Sequence, residues 1–262
     1  MSYLNHVTGY RRDLLHSRSV VKKNNYALLE PDGLVKNVLP GFENCDVTIL
    51  GSPKLGASFV DYLVSIYADG KNEAGFGDDR VETLFYLLEG RLAARAGEQS
   101  FILEKGGFIY CPPGVKLYFR NESGEPARAF LYKRVYNRLP GVEPYVVCGN
   151  TESMPWTHYE DMEDVLIKDF LPKDLAFDCN FHILSFRPGA SHGYLETHIQ
   201  EHGAYCLSGQ GMYNLDNDWI PVQKGDYIFM SAYCLQACYA VGRDENFSYV
   251  YSKDCNRDVA LG

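Results

Sequence analysis

Three of the chain's seven histidines, His192, His198 and His202, fall within eleven residues, in Ser191-His-Gly-Tyr-Leu-Glu-Thr-His-Ile-Gln-Glu-His-Gly203. Glu196 stands two residues before His198, and His202 four after it. On an extended segment even spacings share a face, so this pattern predicts two imidazoles and a carboxylate turned the same way, a donor group for a divalent cation. His192 reads instead as an ordinary hydrogen-bonded histidine, and so does His182. Farther on, Gly225-Asp-Tyr-Ile-Phe-Met-Ser-Ala-Tyr-Cys-Leu-Gln236 places Gln236 eleven residues past a turn glycine. Cys234 and Cys238 flank Gln236 at alternate positions. They lack the second closely spaced pair of a zinc site and read as small apolar fillers.

The elements that position these residues are short. Tyrosine is abundant, with 20 copies, and runs such as 59–66, 83–88, 205–207, 227–230 and 247–251 are bounded by Gly, Pro, Asn or Asp. Such aromatic and β-branched runs between turn residues predict an all-β sandwich or barrel. Residues 156–168, followed by Leu171-Pro172-Lys173, are the best helical candidate and read as a connecting element.

A repeat is visible. Tyr86-Leu-Leu-Glu-Gly90 resembles Tyr205-Cys-Leu-Ser-Gly209, and Leu103-Glu-Lys-Gly106 resembles Val222-Gln-Lys-Gly225. The offset is 119 at both glycines, 209 less 90 and 225 less 106. The order strand, Gly turn, hairpin, Lys-Gly turn, strand therefore occurs twice, which implies two copies of one small β-domain joined near 145–170.

Composition bounds the rest. With 262 residues, 46% hydrophobic and 23% charged, the chain can bury a full core and is not of a disordered class. A net charge of -9 leaves no electrostatic footprint for nucleic acid. No apolar run approaches the roughly 18 residues of a membrane helix. Residues 1–23 mix His, Arg and Lys with single apolar residues, so a cytoplasmic protein is expected. Eight scattered cysteines read as buried thiols.

With these residues in view the chain resembles the cupins, whose first motif is G-x5-H-x-H-x3,4-E-x6-G and whose second is G-x5-P-x-G-x2-H. Anchored on Gly209 and Gly225, Glu196 takes the first His position, His198 the second, His202 the Glu position and Gln236 the last His. Ala190, Ser231 and Tyr233 replace framework Gly, Pro and Gly. This permuted set in a two-cupin chain is similar to the (S)-ureidoglycine aminohydrolases of allantoin breakdown. Stretches such as Asp32-Gly-Leu-Val-Lys36, Pro53-Lys-Leu-Gly-Ala57 and Tyr251-Ser-Lys-Asp-Cys-Asn-Arg257 carry the likeness along the chain.

The resemblance implies a bicupin, two tandem double-stranded β-helix (jelly-roll) barrels. Its expected parts are an arm at 1–40, a metal-free cupin at 41–145 and a metal-binding cupin at 146–262. It implies one manganese ion held by Glu196, His198, His202 and Gln236, and substrate contacts from Glu196, Tyr213, Tyr249 and Lys253. The implied reaction releases ammonia from ureidoglycine to give ureidoglycolate, with Glu196 and Lys253 as the catalytic pair. Lys253 either shuttles a proton or holds the substrate carboxylate; both readings stand. The donor set itself, two imidazoles and two oxygens without thiolate, suits manganese or iron(II), leaves two octahedral positions open and carries about +1 with a divalent ion. In the first copy the same anchors give Gly77, Asp79, Thr83 and Leu117, of which only Asp79 is a plausible donor. An iron(II) dioxygenase and a non-catalytic ligand-binding bicupin are the competing functions. A homo-oligomer without nucleic-acid or membrane partners is expected.

Overall fold

The computed structural model describes residues 18–254 and Arg257; the first 17 residues of the expected arm lie outside them. Among the described residues, apart from two short 3-10 turns at Pro31–Gly33 and Thr151–Ser153, the regular elements are strands. They are β1 (Val20–Lys22), β2 (Tyr26–Leu29), β3 (Phe42–Ile49), β4 (Phe59–Phe76), β5 (Val81–Glu89), β6 (Arg91–Ala96) and β7 (Gln99–Glu104). Next come β8 (Gly107–Cys111), β9 (Leu117–Arg120), β10 (Ala127–Val135), β11 (Val147–Asn150), β12 (Thr157–Tyr159), β13 (Met162–Asp169) and β14 (Cys179–Phe186). The last are β15 (His202–Ser208), β16 (Gln210–Leu215), β17 (Asp218–Gln223), β18 (Tyr227–Met230), β19 (Gln236–Ala240) and β20 (Phe247–Asp254). Among the described residues no helix is long and apolar enough to cross a membrane.

The chain divides into two compact units. One holds Asp32–Ser52 and Ser58–Met154; the other holds the described residues through 31, Pro53–Ala57, and the chain from 155 onward. In the first unit the strands run β8-β5-β10-β4, with β3 against β4, and β9-β6-β7. In the second they run β18-β15-β20-β14, then β13 and β12, with a separate sheet β17-β16-β19. The order is the same in both, and all neighbouring pairs are antiparallel. Each unit closes over its own core. In the second, Leu184, Phe186, Met230 and Tyr249 from the large sheet meet Tyr213, Leu215, Val222 and Cys238 from the small one. Strands with one solvated face alternate: β17 buries Ile220 and Val222 while Trp219 and Pro221 face out.

The glycines that define the repeat are required by the backbone. Gly90, Gly106, Gly209 and Gly225 have φ of 91°, 82°, 69° and 90°, a left-handed region that other residues enter at a cost. Gly90 and Gly209 are also crowded. A Cβ on Gly209 would lie 2.5 Å from the Asn246 carbonyl oxygen, and one on Gly90 would lie 2.7 Å from Ala127 Cβ. Gly90 sits where β10 enters and Gly209 where β20 enters.

Residues 156–168 are a β-hairpin, not a helical connector. Glu160 takes φ 52° in the turn, and the register slips between His158 and Tyr159. The β-branched and aromatic Thr157, Tyr159, Val165 and Ile167 fit a pleated surface better than a helix. Of the described cysteines, Cys148 is exposed and the other six are buried free thiols.

Candidate metal and substrate site

The site lies in the second unit. His202 opens β15 and Gln236 opens β19, one from each sheet. Glu196 and His198 come from the segment between β14 and β15, which is not a strand. That segment is tied to the small sheet by single bridges, Ser191 to Tyr239 and Glu196 to Gln236. The Glu196 and Gln236 backbones exchange bonds of 2.8 and 2.9 Å, and the Tyr233 N–H donates to the His198 carbonyl at 2.7 Å. Tyr233 holds φ 64° at a position where the cupin motif has glycine, so the backbone shape survives the change of residue. The expectation of one extended face is thus corrected. Donors meet because the chain folds back on itself.

They meet closely. His198 Nε2 lies 3.4 Å from His202 Nε2, 2.9 Å from Gln236 Nε2 and 3.8 Å from Glu196 Oε2. Each imidazole has its other nitrogen on a carbonyl, His198 Nδ1–H on Gln200 at 3.1 Å and His202 Nδ1–H on Ser252 at 2.9 Å. A carbonyl only accepts, so both protons sit on Nδ1 and both Nε2 lone pairs face inward. Two lone pairs 3.4 Å apart repel unless a cation lies between them. The Gln236 amide oxygen is buried with no hydrogen-bond partner, and a half-turn of the amide exchanges it with the nitrogen facing His198. Neighbouring donors on an octahedral ion with bonds of about 2.1 Å lie about 3 Å apart, close to the spacing seen here. This arrangement fits a metal ion.

The electrostatics agree. Burial pushes the His202 imidazole well below its ordinary value, helped by His198 and Lys253, so it stays neutral. Burial alone would raise the Glu196 carboxyl. His198, His192 and the Tyr159 hydroxyl outweigh it, and the carboxyl is held at about 2.

The remaining expected residues line the same narrow pocket: Tyr213, Tyr249 and Lys253 join Glu196, His202 and Gln236 there. The Tyr213 and Tyr249 hydroxyls are 3.1 Å apart, and burial above all pushes both phenols up, so both stay protonated. Lys253 is half-buried at the end of the row Tyr249, Tyr251, Lys253 on β20.

His192 is no donor to the cluster. Its Nδ1 accepts the Cys238 N–H at 2.9 Å, and its ring sits edge-on to Phe186. His182 donates from Nδ1 to Asp169 at 2.7 Å. Tyr159 is the residue that sequence reasoning missed: its hydroxyl donates to Glu196 Oε1 at 2.9 Å from 37 positions upstream. No local pattern signals it, because a register slip aims it. In the first unit the register sets Phe76 opposite Leu117, as Glu196 stands opposite Gln236, with Leu117 in the apolar core and Phe76 half-buried against it.

Comparison with known proteins joins this geometry to a family. A cupin domain family matches residues 65–132, in the first unit. The chain is 62% identical over 261 residues to the (S)-ureidoglycine aminohydrolase of Escherichia coli K12, covering 100% of both. It is 32% identical to a protein of Oryza sativa named a probable (S)-ureidoglycine aminohydrolase, over 94% of this chain and 77% of that one. Among solved structures, protein Ylba from E. coli superposes with a TM-score of 0.86 at 58% identity, covering 97% of this chain and 100% of its own. The chain therefore belongs to the (S)-ureidoglycine aminohydrolase family of cupin proteins.

Proposed function

We propose that this protein hydrolyses (S)-ureidoglycine to (S)-ureidoglycolate and ammonia in the ureide pathway, with one manganese ion held by Glu196, His198, His202 and Gln236. The observation that carries the reading is the convergence of those four side chains, with Glu196, His202 and Gln236 lining one pocket beside Lys253 and a paired Tyr213–Tyr249, and His198 within 3.8 Å of all three. The (S)-ureidoglycine aminohydrolase name of a 62% identical relative supports the reaction. The donor set supports manganese as the ion, since nitrogen and oxygen donors without thiolate suit a moderately hard metal.

The reaction breaks one C–N bond and forms one C–O bond, with water supplying the oxygen and ammonia leaving. A bound divalent ion supplies Lewis acidity and a template for the substrate carboxylate. The protein's residues do the rest. Lys253 moves a proton between water and the departing amine, or anchors the carboxylate, from the rim of the cavity. Within the Tyr213–Tyr249 pair one hydroxyl donates to the other, and the second donates to the ureido group and orients it. Glu196 keeps its charge and balances the site.

The test is the ammonia released beyond the one equivalent that the amidohydrolase itself frees when it makes ureidoglycine in place from allantoate, with and without oxygen. Oxygen-independent release is expected, and oxygen consumption would instead indicate a dioxygenase. Lys253→Met should lower kcat by about 10² to 10⁴, the usual weight of a general acid–base group, with manganese still bound. Near-normal turnover in that variant would remove Lys253 from the mechanism.

A further inference from the structure

The hairpin β12–β13 reaches the segment that carries Glu196 through two bonds of opposite direction. Tyr159 on the hairpin donates to Glu196 Oε1 at 2.9 Å, and Tyr194 on the segment donates to Glu160 on the hairpin. Each side of this contact gives a tyrosine and receives one on a carboxylate. The Tyr159 ring is seated edge-on against His192 at 6.0 Å, and His192 is fixed in turn by the Cys238 N–H. The turn is built for this aim, with Glu160 at φ 52° and the register slip just before Tyr159. Irregularities of this kind re-aim a side chain next to functional sites.

The clasp has work to do. Backbone ties of the segment near Glu196 are the bridge to Gln236 and the His198–Tyr233 bond. Glu196 has several rotatable bonds, and an unheld carboxylate can present either oxygen, or both, to a cation.

We propose that the Tyr159–Glu196 and Tyr194–Glu160 clasp makes Tyr159 a positioning residue, which occupies Glu196 Oε1 and leaves Oε2 alone to face the imidazole pair. The inference rests on the metal reading above. Its consequence is a one-oxygen carboxylate donor, so a coordination position is kept for a substrate that chelates. Groups that orient a metal-binding side chain typically weigh 10- to 100-fold in metal affinity when removed.

The test titrates Mn2+ into the full chain, stripped of metal, following both affinity and the electron paramagnetic resonance spectrum of the bound ion. Tyr159→Phe removes one oxygen and keeps the ring. It should weaken Mn2+ binding by about 10- to 100-fold and alter the spectrum of the ion that does bind. Glu160→Gln, at the far side of the clasp, should weaken binding by a smaller factor and serves as the second variant if Tyr159→Phe folds poorly. Wild-type affinity and an unchanged spectrum in Tyr159→Phe, or in Glu160→Gln where that variant must stand in, would overturn the clasp while leaving the metal reading intact. Absence of stoichiometric Mn2+ in the unmodified chain would overturn both, and is read before any variant is made.

Discussion

Replacing Glu196 by Gln separates metal ligation from packing. The two side chains have the same shape, and Gln can still accept the Tyr159 hydroxyl that now lies 2.9 Å from Oε1. The charge is lost. Glu196 is the single anionic donor in the set of four, so a divalent ion in the variant site would carry about +2 instead of +1. Hydrogen bonds and contacts to charged donors are about twice as strong as those to neutral ones, and removal of mere supporting partners already weighs 10- to 100-fold. An inner donor should reach at least the upper end, about 100-fold.

Thermal unfolding converts this into a readable shift. At a free Mn2+ concentration of 100 times the wild-type Kd, binding stabilises the folded chain by about 2.7 kcal/mol. At about 2–4 °C per kcal/mol for a chain of this size, Tm should rise by about 5–11 °C. At the same concentration the variant, bound 100-fold more weakly, gains about 0.4 kcal/mol and should rise by about 1–2 °C. Reporting the metal-induced difference removes any change in the metal-free chain. Equal shifts in the two proteins would refute the assignment of Glu196, and no shift in the wild type with any divalent ion would refute the site.

Three further outcomes rest on geometry. Gly209→Ala combines a left-handed φ of 69° with a Cβ 2.5 Å from a backbone carbonyl, and should cost about 3 kcal/mol. Gly225→Ala, at φ 90° with nothing within 4 Å, should cost only about 1–2 kcal/mol, and urea unfolding of the pair checks the difference. Tyr233→Gly relieves a strained φ of 64° but loosens the unfolded chain, so stability should rise by about 0.5 kcal/mol with Mn2+ affinity unchanged. The metal-free protein should lose stability as pH falls below about 6.5. Burial lowers His182, His192 and His202 in the folded state, so the unfolded chain binds more protons there. The slope should approach, but not exceed, about 4 kcal/mol per pH unit for three groups, and a flat urea midpoint between pH 7 and 5 would contradict it.

The repeat was legible because its markers are local. A positive φ at four turns needs glycine at four places, and the 119-residue offset reflects two copies of one strand order. The chemistry of the donors was legible for the same reason, since side-chain type is written at each position. Two things were not. The hairpin at 157–169 hides behind a sequence of mixed polarity, and its identity depends on a turn at Glu160 and on pairing of β13 with β14. Tyr159 is chosen by that hairpin's slipped register, which no spacing within the chain encodes. Long-range pairing decides both.

The departure from a regular strand at the site has a physical cause. A strand rises about 3.3 Å per residue, so side chains two apart stand about 7 Å apart and those four apart about 13 Å. His198 and His202 are four apart, yet their Nε2 atoms lie 3.4 Å from each other. No extended ladder can bring Glu196, His198 and His202 to one ion. The first unit illustrates the alternative: β4 continues for 18 residues, bent by left-handed φ at Asp69 and Gly75 and a register slip between Asn72 and Phe76 but still paired onward with β9, and sets apolar Phe76 against Leu117. In the second unit the regular strand stops at Phe186, and the chain over 187–201 is held by isolated bridges that let it turn back. The same barrel thus becomes a donor cluster only where its long strand is interrupted, and the interrupted backbone then depends on outside ties such as the Tyr159 hydroxyl to hold its carboxylate still.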